Sequence, residues 1–95
     1  MHYVTRPGVA RVEICGRFLL IPDRKASEYC EEVVPVKFLG AVVWGMLCSG
    51  KPLEEISNFY STMSRKPEEK ACAELDAYLS GLCEKGFLIR VEDEG

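Results

Sequence analysis

The sequence has few residues suited to metal binding or acid–base catalysis. Its single histidine, His2, stands next to the N-terminus, where we expect a frayed end. None of the cysteines belongs to a Cys-x-x-Cys pair; they are Cys15, Cys30, Cys48, Cys72 and Cys83. A structural zinc site needs Cys or His ligands in such spacings, and an enzyme needs a nucleophile, a base or a metal in a pocket. We therefore expect no metal, no cofactor and no catalytic residue, and we interpret the cysteines as buried, reduced thiols.

Long hydrophobic runs are also missing. The most apolar stretch, Phe38 to Cys48, is interrupted by Gly40 and Gly45. It is much shorter than the ~20 residues that span a bilayer. The N-terminal residues lack the apolar core of a signal peptide. We therefore expect a cytoplasmic protein without membrane contact.

Net positive charge is lacking as well. The formal net charge is −3, and it is unevenly divided: residues 1–50 have six Lys/Arg against five Asp/Glu, and residues 51–95 have six against ten. An acidic surface repels a phosphate backbone. Nucleic acid is therefore not an expected partner.

The sequence does contain enough apolar residues for one small globular domain. Its 95 residues are 47 % hydrophobic and 28 % charged, which is ordinary for a folded soluble protein. We predict a single domain over residues 1–95, with its core within 9–89 and a flexible tail over 92–95.

A small sheet is predicted in the first third of the chain. From Val9 to Ile14 apolar and charged residues alternate, the pattern of a half-buried strand. A turn at Gly16 and the apolar run Phe18 to Ile21 complete a hairpin. The segment Tyr29 to Val34 is predicted as a third strand at the open edge of this sheet, because Pro35 cannot donate a hydrogen bond to a neighbouring strand.

Three helices are predicted after the sheet. Residues 38–47 are apolar nearly all round, which indicates a buried helix. Pro52 opens a second helix, and Pro67 opens a longer third helix that ends at Gly86. The predicted inward face of the third helix comprises Cys72, Leu75, Leu79, Leu82 and Cys83. Residues 87–91 form either a final strand or a tail packed on the core. The prediction is an α+β fold, a three-stranded antiparallel sheet followed by three helices (βββααα), with a winged-helix-like layout.

Several fragments within residues 9–89 carry a resemblance to a known family. They are Gly16-Arg17-Phe18-Leu19-Leu20-Ile21-Pro22, Val33-Val34-Pro35-Val36, Leu39-Gly40-Ala41-Val42-Val43-Trp44, a Gly50 turn followed by Leu53-Glu54-Glu55-Ile56, and Glu74-Leu75-x-x-Tyr78-Leu79-x-x-Leu82 ending in Gly86-Phe87-Leu88. In this order and spacing they resemble PqqD, the pyrroloquinoline quinone biosynthesis protein D family, whose fold is also called the RiPP recognition element. At the start of the first helix, Lys37-Phe38 stands where the family commonly has an Asn-Glu-like pair.

The resemblance implies a non-catalytic protein that binds the leader region of a ribosomally made precursor peptide. In that family the leader usually adds a strand in the cleft between the third strand and the third helix. Such proteins commonly deliver the peptide to a maturation enzyme, often a radical S-adenosylmethionine (SAM) enzyme, which holds the cofactors.

Two groups of residues are candidates for this peptide site. An open strand edge offers backbone N–H and C=O groups to an added strand; the residues of the predicted edge are Tyr29, Cys30, Glu31, Glu32, Val33 and Val34. On the third helix, small and polar residues share one face; they are Lys70, Ala73, Glu74, Ala77 and Gly81. The structural alternatives are that Glu31 and Glu32 protect a purely structural edge, and that the alanines are ordinary surface helix residues.

Two further functions fit the same pattern of elements. A winged-helix DNA-binding regulator would need Arg, Lys, Asn or Gln on its recognition helix, whereas residues 67–85 contain five acidic residues and two lysines. An adaptor for another protein would use the same open edge. That edge also leaves the oligomeric state open between a monomer and an edge-paired homodimer.

Overall fold

The chain forms two antiparallel sheets and three helices. The computed structural model describes residues 2–30 and 32–92. Its strands are β1 (His2–Thr5), β2 (Val9–Ile14), β3 (Arg17–Pro22), β4 (Val34–Val36) and β5 (Leu88–Val91). The strands β2, β3 and β4 form one sheet in that order, and β1 pairs with β5. The helices are α1 (Phe38–Cys48), α2 (Leu53–Ser64) and α3 (Glu68–Glu84). The predicted α+β fold, with a three-stranded antiparallel sheet followed by three helices, is confirmed.

A tight turn at Cys15 and Gly16 joins β2 to β3. Both residues have positive φ, 52° and 77°, as the two-residue turns that match the twist of a hairpin require. The Cys15 thiol is exposed there, and that of Cys48 is exposed at the end of α1. The expectation of buried thiols was therefore wrong for these two residues, although Cys30 is buried.

The third strand of the sheet lies later in the chain than predicted. Only Val34 of the predicted edge strand belongs to β4; Tyr29, Cys30, Glu32 and Val33 precede it, and Glu31 lies outside the described residues. The physical reason is a local turn over residues 23–30. The Asp23 carboxylate accepts a hydrogen bond from the Ala26 N–H at 2.8 Å, and the Ala26 carbonyl accepts those of Tyr29 and Cys30, both at 2.9 Å. These backbone groups are satisfied within the turn, so they do not enter the sheet.

The two ends of the chain pair with each other. In the β1–β5 ribbon His2 lies opposite Val91 and Thr5 opposite Leu88. The expected frayed N-terminus was therefore wrong for His2, and residues 88–91 form the final strand, directly after Phe87, rather than an extended tail. Tyr3 on β1 is buried, so this ribbon contributes to the core. Of the predicted tail, Glu92 is exposed after β5, and residues 93–95 lie outside the described part of the chain.

The core lies between the helices and the inner faces of the strands. Its fully buried members include Leu20 of β3, Val43 of α1, Ile56 of α2 and Leu79 of α3. Arg11 ties β2 to α1, because its guanidinium donates a hydrogen bond to the Ala41 carbonyl at 2.7 Å. Within the described residues, every helix is too short or too polar to cross a bilayer.

Candidate functional site

The strand β4 forms one edge of the three-stranded sheet. Its inner side pairs with β3, with Val34 opposite Leu20 and Val36 opposite Phe18. Among the described residues no strand pairs with its outer side. Proline is tolerated in an edge strand where its missing N–H faces outward. We infer that Pro35 leaves a carbonyl acceptor, but no donor, in the middle of this edge.

A groove opens beside β4. We call it the β4–α3 groove, and its volume is about 680 Å³. It runs from the end of β4 and the first turn of α1 to the facing sides of α2 and α3. Its lining residues are Pro35, Val36, Lys37, Phe38, Leu39, Gly40, Tyr60, Met63, Ser64, Lys66, Glu74 and Tyr78. An open strand edge and a lined cavity thus lie side by side.

Large apolar side chains are exposed at this groove. Phe38, the first residue of α1, is 60 % exposed, and Met63 near the end of α2 is 50 % exposed. The Phe38 ring rests on Phe18 of β3 with ring centroids 6.0 Å apart. Phe38 is the most exposed and Met63 the fourth most exposed of the six exposed large apolar side chains among the described residues, and both line the same cavity, as is typical of a binding site.

Tyr78 closes the floor of the groove between α1 and α3. Its hydroxyl donates a hydrogen bond to the Gly40 carbonyl at 2.9 Å. A side chain at Gly40 would come within 3.0 Å of the Tyr78 ring and hydroxyl, so the glycine makes this close crossing possible. Burial raises the pKa of Tyr78 well above its usual range. The phenol therefore stays protonated and remains a donor at neutral pH.

A polar cluster lies where α2 and α3 meet at the groove. The Glu74 carboxylate accepts hydrogen bonds from the Lys66 ammonium and from the Tyr60 hydroxyl, the latter at 3.3 Å. The hydrogen bond from Lys66 lowers the pKa of Glu74, and the nearby charge of Lys70 acts in the same direction. The hydrogen bond to Glu74 raises the pKa of Lys66. Glu74 is thus held ionised with its charge compensated by Lys66.

Comparison with known proteins gives a match in structure but none in sequence. The sequence matches no family model and no curated protein. Among solved structures, that of TbiB1 in complex with the TbiA(beta) leader peptide aligns with a TM-score of 0.75, covering 95 % of this chain and 99 % of that chain at 19 % identity. This chain has the fold of TbiB1. At that identity the similarity establishes the shared fold alone.

Within this TbiB1-like fold, the predicted helix residues share the side of α3 that continues from the groove. Glu74 lines the groove. At 100° per residue, Lys70, Ala77 and Gly81 fall within about 60° of Glu74 around the helix axis, and Ala73 lies at the edge of this face. A side chain added at Gly81 would meet no atom within 4 Å. The face beyond the groove is therefore open.

The predicted edge residues are more scattered than the helix residues. Val34 is buried in β4, and Cys30 is 0 % exposed, so the thiol of Cys30 faces the core. Val33 and Glu32 are exposed just before β4. Tyr29 is 59 % exposed, and its ring lies under the Arg6 guanidinium, 4.1 Å from the centroid. Any contribution from Cys30 to peptide binding would come from its backbone.

Sequence reasoning missed several residues that line the groove. Phe38 belongs to the helix that the apolar pattern predicts to be buried, and Tyr60, Met63 and Lys66 are not among the candidate residues. For Phe38 a signal existed, because the first residue of a helix need not face the core. For Lys66 the sequence holds no comparable signal, since its partner Glu74 lies on the next helix.

A second groove lies between β1 and the α1–α2 turn. Its volume is about 520 Å³, and its lining includes His2, Thr5, Leu47 and Lys51. Like β4, β1 pairs on one side only, with β5. Of the exposed large apolar side chains, however, only Val4 lines this second groove, whereas the more exposed Phe38 and Met63 line the β4–α3 groove. Within the described residues, no three His, Cys, Asp or Glu side chains are grouped to hold a metal ion. The β4–α3 groove is therefore the better candidate site.

Proposed function

We propose that this protein binds the leader region of a ribosomally made precursor peptide as an added strand along β4. The observation that carries the proposal is the unpaired outer side of β4 next to a groove with exposed Phe38 and Met63. An extended peptide gains affinity from main-chain hydrogen bonds to such an edge and specificity from side-chain pockets beside it.

The guest strand lies between β4 and the open face of α3. Its N–H groups donate to the outer edge, where Pro35 supplies only an acceptor. One apolar side chain of the guest enters the groove against Phe38 and Met63. At the start of β4 the guest passes Val33 and Glu32, and on α3 it passes Ala77 and Gly81. The same edge suits pairing with a second copy, so a bound peptide and an edge-paired dimer exclude each other.

The shared fold supports a leader peptide as the guest, because the TbiB1 structure contains one. We further propose that the protein itself performs no chemistry and presents the peptide to a modifying enzyme, of the radical SAM class, which carries the cofactor. A docked strand leaves the rest of a precursor outside the groove, where a second protein can reach it.

The charge of α3 argues against the winged-helix DNA-binding alternative. A recognition helix needs cationic or amide side chains toward phosphates and base edges. The helix instead begins with Glu68 and Glu69 and carries Asp76 and Glu84. Lys70 is the one cation within α3. An adaptor role would use the same edge as the leader and is separated from it by the experiment below.

A titration of isotope-labelled protein with a synthetic leader tests the proposal. The leader is taken from a precursor gene beside the gene for this protein. We expect a dissociation constant of about micromolar or tighter and amide shifts concentrated in residues 29–37 and 68–81. Shifts confined to β1, β5 and the hairpin turn would place binding elsewhere. If leader peptides do not bind to this protein but the modifying enzyme alone does, the adaptor role is favoured.

Substitution of Ala77 by Arg tests the role of the open face of α3. A long side chain there fills the space that the guest needs, so we expect Ala77→Arg to abolish leader binding. The change in unfolding free energy should stay within about 0.5 kcal/mol, because Ala77 is exposed. Asp76→Arg introduces the same side chain about 100° around the helix from Ala77 and about 160° from Glu74, away from the groove. Ala77→Ser keeps a small side chain at position 77; both variants should bind normally. Unchanged affinity of Ala77→Arg would contradict the groove.

A further inference from the structure

The net charge around the β4–α3 groove is opposite in sign to the net charge of the whole chain. The chain has a net charge of −3. The charged residues that line the groove are Lys37, Lys66 and Glu74, and Lys70 stands one helical turn before Glu74. The groove therefore carries a net positive charge on an acidic protein.

The one acid of the groove is already compensated. Both oxygens of the Glu74 carboxylate accept hydrogen bonds, one from Lys66 and the other from Tyr60. Lys37 and Lys70 are exposed, and the ion pairs found among the described residues, Lys51–Glu55 and Lys66–Glu74, involve neither of them; Lys70 acts on Glu74 through its nearby charge alone. A guest carboxylate is attracted to them without first displacing Glu74 from Lys66.

Three of the four other acids of α3 lie well away from Glu74 around the helix. At 100° per residue, Glu68, Glu69 and Asp76 lie about 120°, 140° and 160° from it. Glu84 lies about 80° from Glu74 but ten residues further along, about 15 Å away along the helix axis. Along β4 the charge is also unequal, because Glu32 precedes the strand and Lys37 follows it directly. The positive end of the edge is therefore the Val36 end, next to Phe38.

We propose that the groove selects peptides that carry Asp or Glu beside their apolar anchor residue. This rests on the proposed function and adds the chemistry of the guest: an apolar side chain against Phe38 and Met63, flanked by a carboxylate at the Lys37 end. Opposite charge in an exposed site speeds association and rejects guests of the wrong sign more than it adds affinity.

A displayed library of random peptides of about ten residues, the length of a strand with its flanks, is the probe. It is selected on the immobilised full-length protein. We expect the bound pool to be enriched in Asp and Glu next to aliphatic or aromatic residues. The binding of individual peptides should weaken about tenfold in the Lys37→Glu/Lys70→Glu double variant, because attraction becomes repulsion at exposed charges.

The matched control is the Arg24→Glu/Lys25→Glu double variant. It changes the net charge equally but at exposed residues outside the groove. It should retain binding within about twofold at moderate salt, where distant charges are screened. Equal losses in the two variants would overturn the inference, because they would indicate a response to overall charge.

The remaining outcomes separate the inference from the proposed function. A bound pool that is neutral or basic, with amide shifts at β4 and α3, would overturn the charge preference and leave strand addition intact. A pool that binds away from β4 and α3, or no enrichment at all, would overturn both.

Discussion

Gly86 is the residue at which three parts of the chain meet. It follows the end of α3, has a φ of 87°, and accepts a hydrogen bond from the Arg6 Nε at 2.6 Å. A Cβ at this position would collide with the backbone carbonyl of Tyr29. Its lack of a side chain therefore permits both the left-handed turn after α3 and the close approach of the segment that leads to β4.

Substitution of Gly86 by Ala should destabilise the protein by roughly 2–4 kcal/mol, the sum of a left-handed backbone penalty and a steric displacement. Gly50→Ala is the matched control, because Gly50 has a similar φ of 76° but open space around it. The control should lose only about 1 kcal/mol. Urea denaturation of the two variants gives the comparison. Equal losses would mean that the approach of Tyr29 to Gly86 has no energetic consequence.

The sequence indicates Gly86 as the end of a helix, since glycine just beyond the last helical residue is a common stop signal. It does not indicate the contact with Tyr29, which is distant in the chain. Similarly, the apolar pattern of residues 29–34 suggested a strand. The hydrogen bonds of Asp23 and Ala26 hold the first of these residues in a turn, and such competition between local structures is not visible from hydrophobic alternation.

Among the elements, α1 and α3 are linked by Tyr78. Its hydroxyl donates a part-buried hydrogen bond to the Gly40 carbonyl, and its ring forms part of the β4–α3 groove. This polar contact adds to the apolar core that the two helices share. It lies two residues from Phe38, so the link between the helices is formed beside the groove.

Substitution of Tyr78 by Phe should make stability less sensitive to alkaline pH. Burial raises the pKa of Tyr78 in the folded state, whereas an unfolded tyrosine ionises near its ordinary pKa of about 10. Above pH ~10 the unfolded chain therefore binds fewer protons at Tyr78 than the folded chain does. The contribution of this group to the unfolding free energy is complete below pH ~10 and is lost as the pH rises above that value.

Urea midpoints measured from neutral to alkaline pH provide the test for Tyr78. The wild-type midpoint should fall more steeply above pH ~10 than that of Tyr78→Phe. A residual slope is expected in the variant, since burial, followed by the charge of Glu74, also raises the pKa of Tyr60. At neutral pH the variant should lose about 1 kcal/mol for the missing hydrogen bond. If the urea midpoints of the two proteins fall in parallel with pH, the alkaline loss of stability does not come from Tyr78.

The helices were the elements best predicted from sequence. Apolar residues at helical spacing, Pro52 and Pro67 at the starts, and Gly86 after the end are local signals, and α1, α2 and α3 begin and end close to the predicted residues. The ribbon of β1 and β5 could not be predicted in this way. Its pairing joins residues at opposite ends of the chain, and neither strand is distinctive alone.

At the scale of the whole molecule, the residues that stabilise the fold and those that line the groove are largely different sets. Tyr3, Phe87 and Leu88 are buried where the ribbon meets the helices. Phe38 and Met63 are half or more exposed at the groove. Stability and binding can therefore be altered separately.

A pair of alanine substitutions tests this separation. Tyr3→Ala should reduce the unfolding free energy by about 3 kcal/mol, because it removes a buried aromatic side chain, while the remaining folded protein keeps its affinity for the leader. Phe38→Ala should cost less than about 1 kcal/mol at an exposed site and weaken leader binding at least about tenfold. Calorimetric titration and thermal unfolding of both variants give the two measurements. Loss of affinity in Tyr3→Ala alone would contradict the division.

The ribbon also has a geometric consequence. Since His2 and Val91 face each other across paired strands, the beginning and the end of the described chain leave the molecule at one place. A linker that approaches His2 and one that continues from Val91 would therefore meet the molecule at the same end of the ribbon, so the two would share an anchoring position.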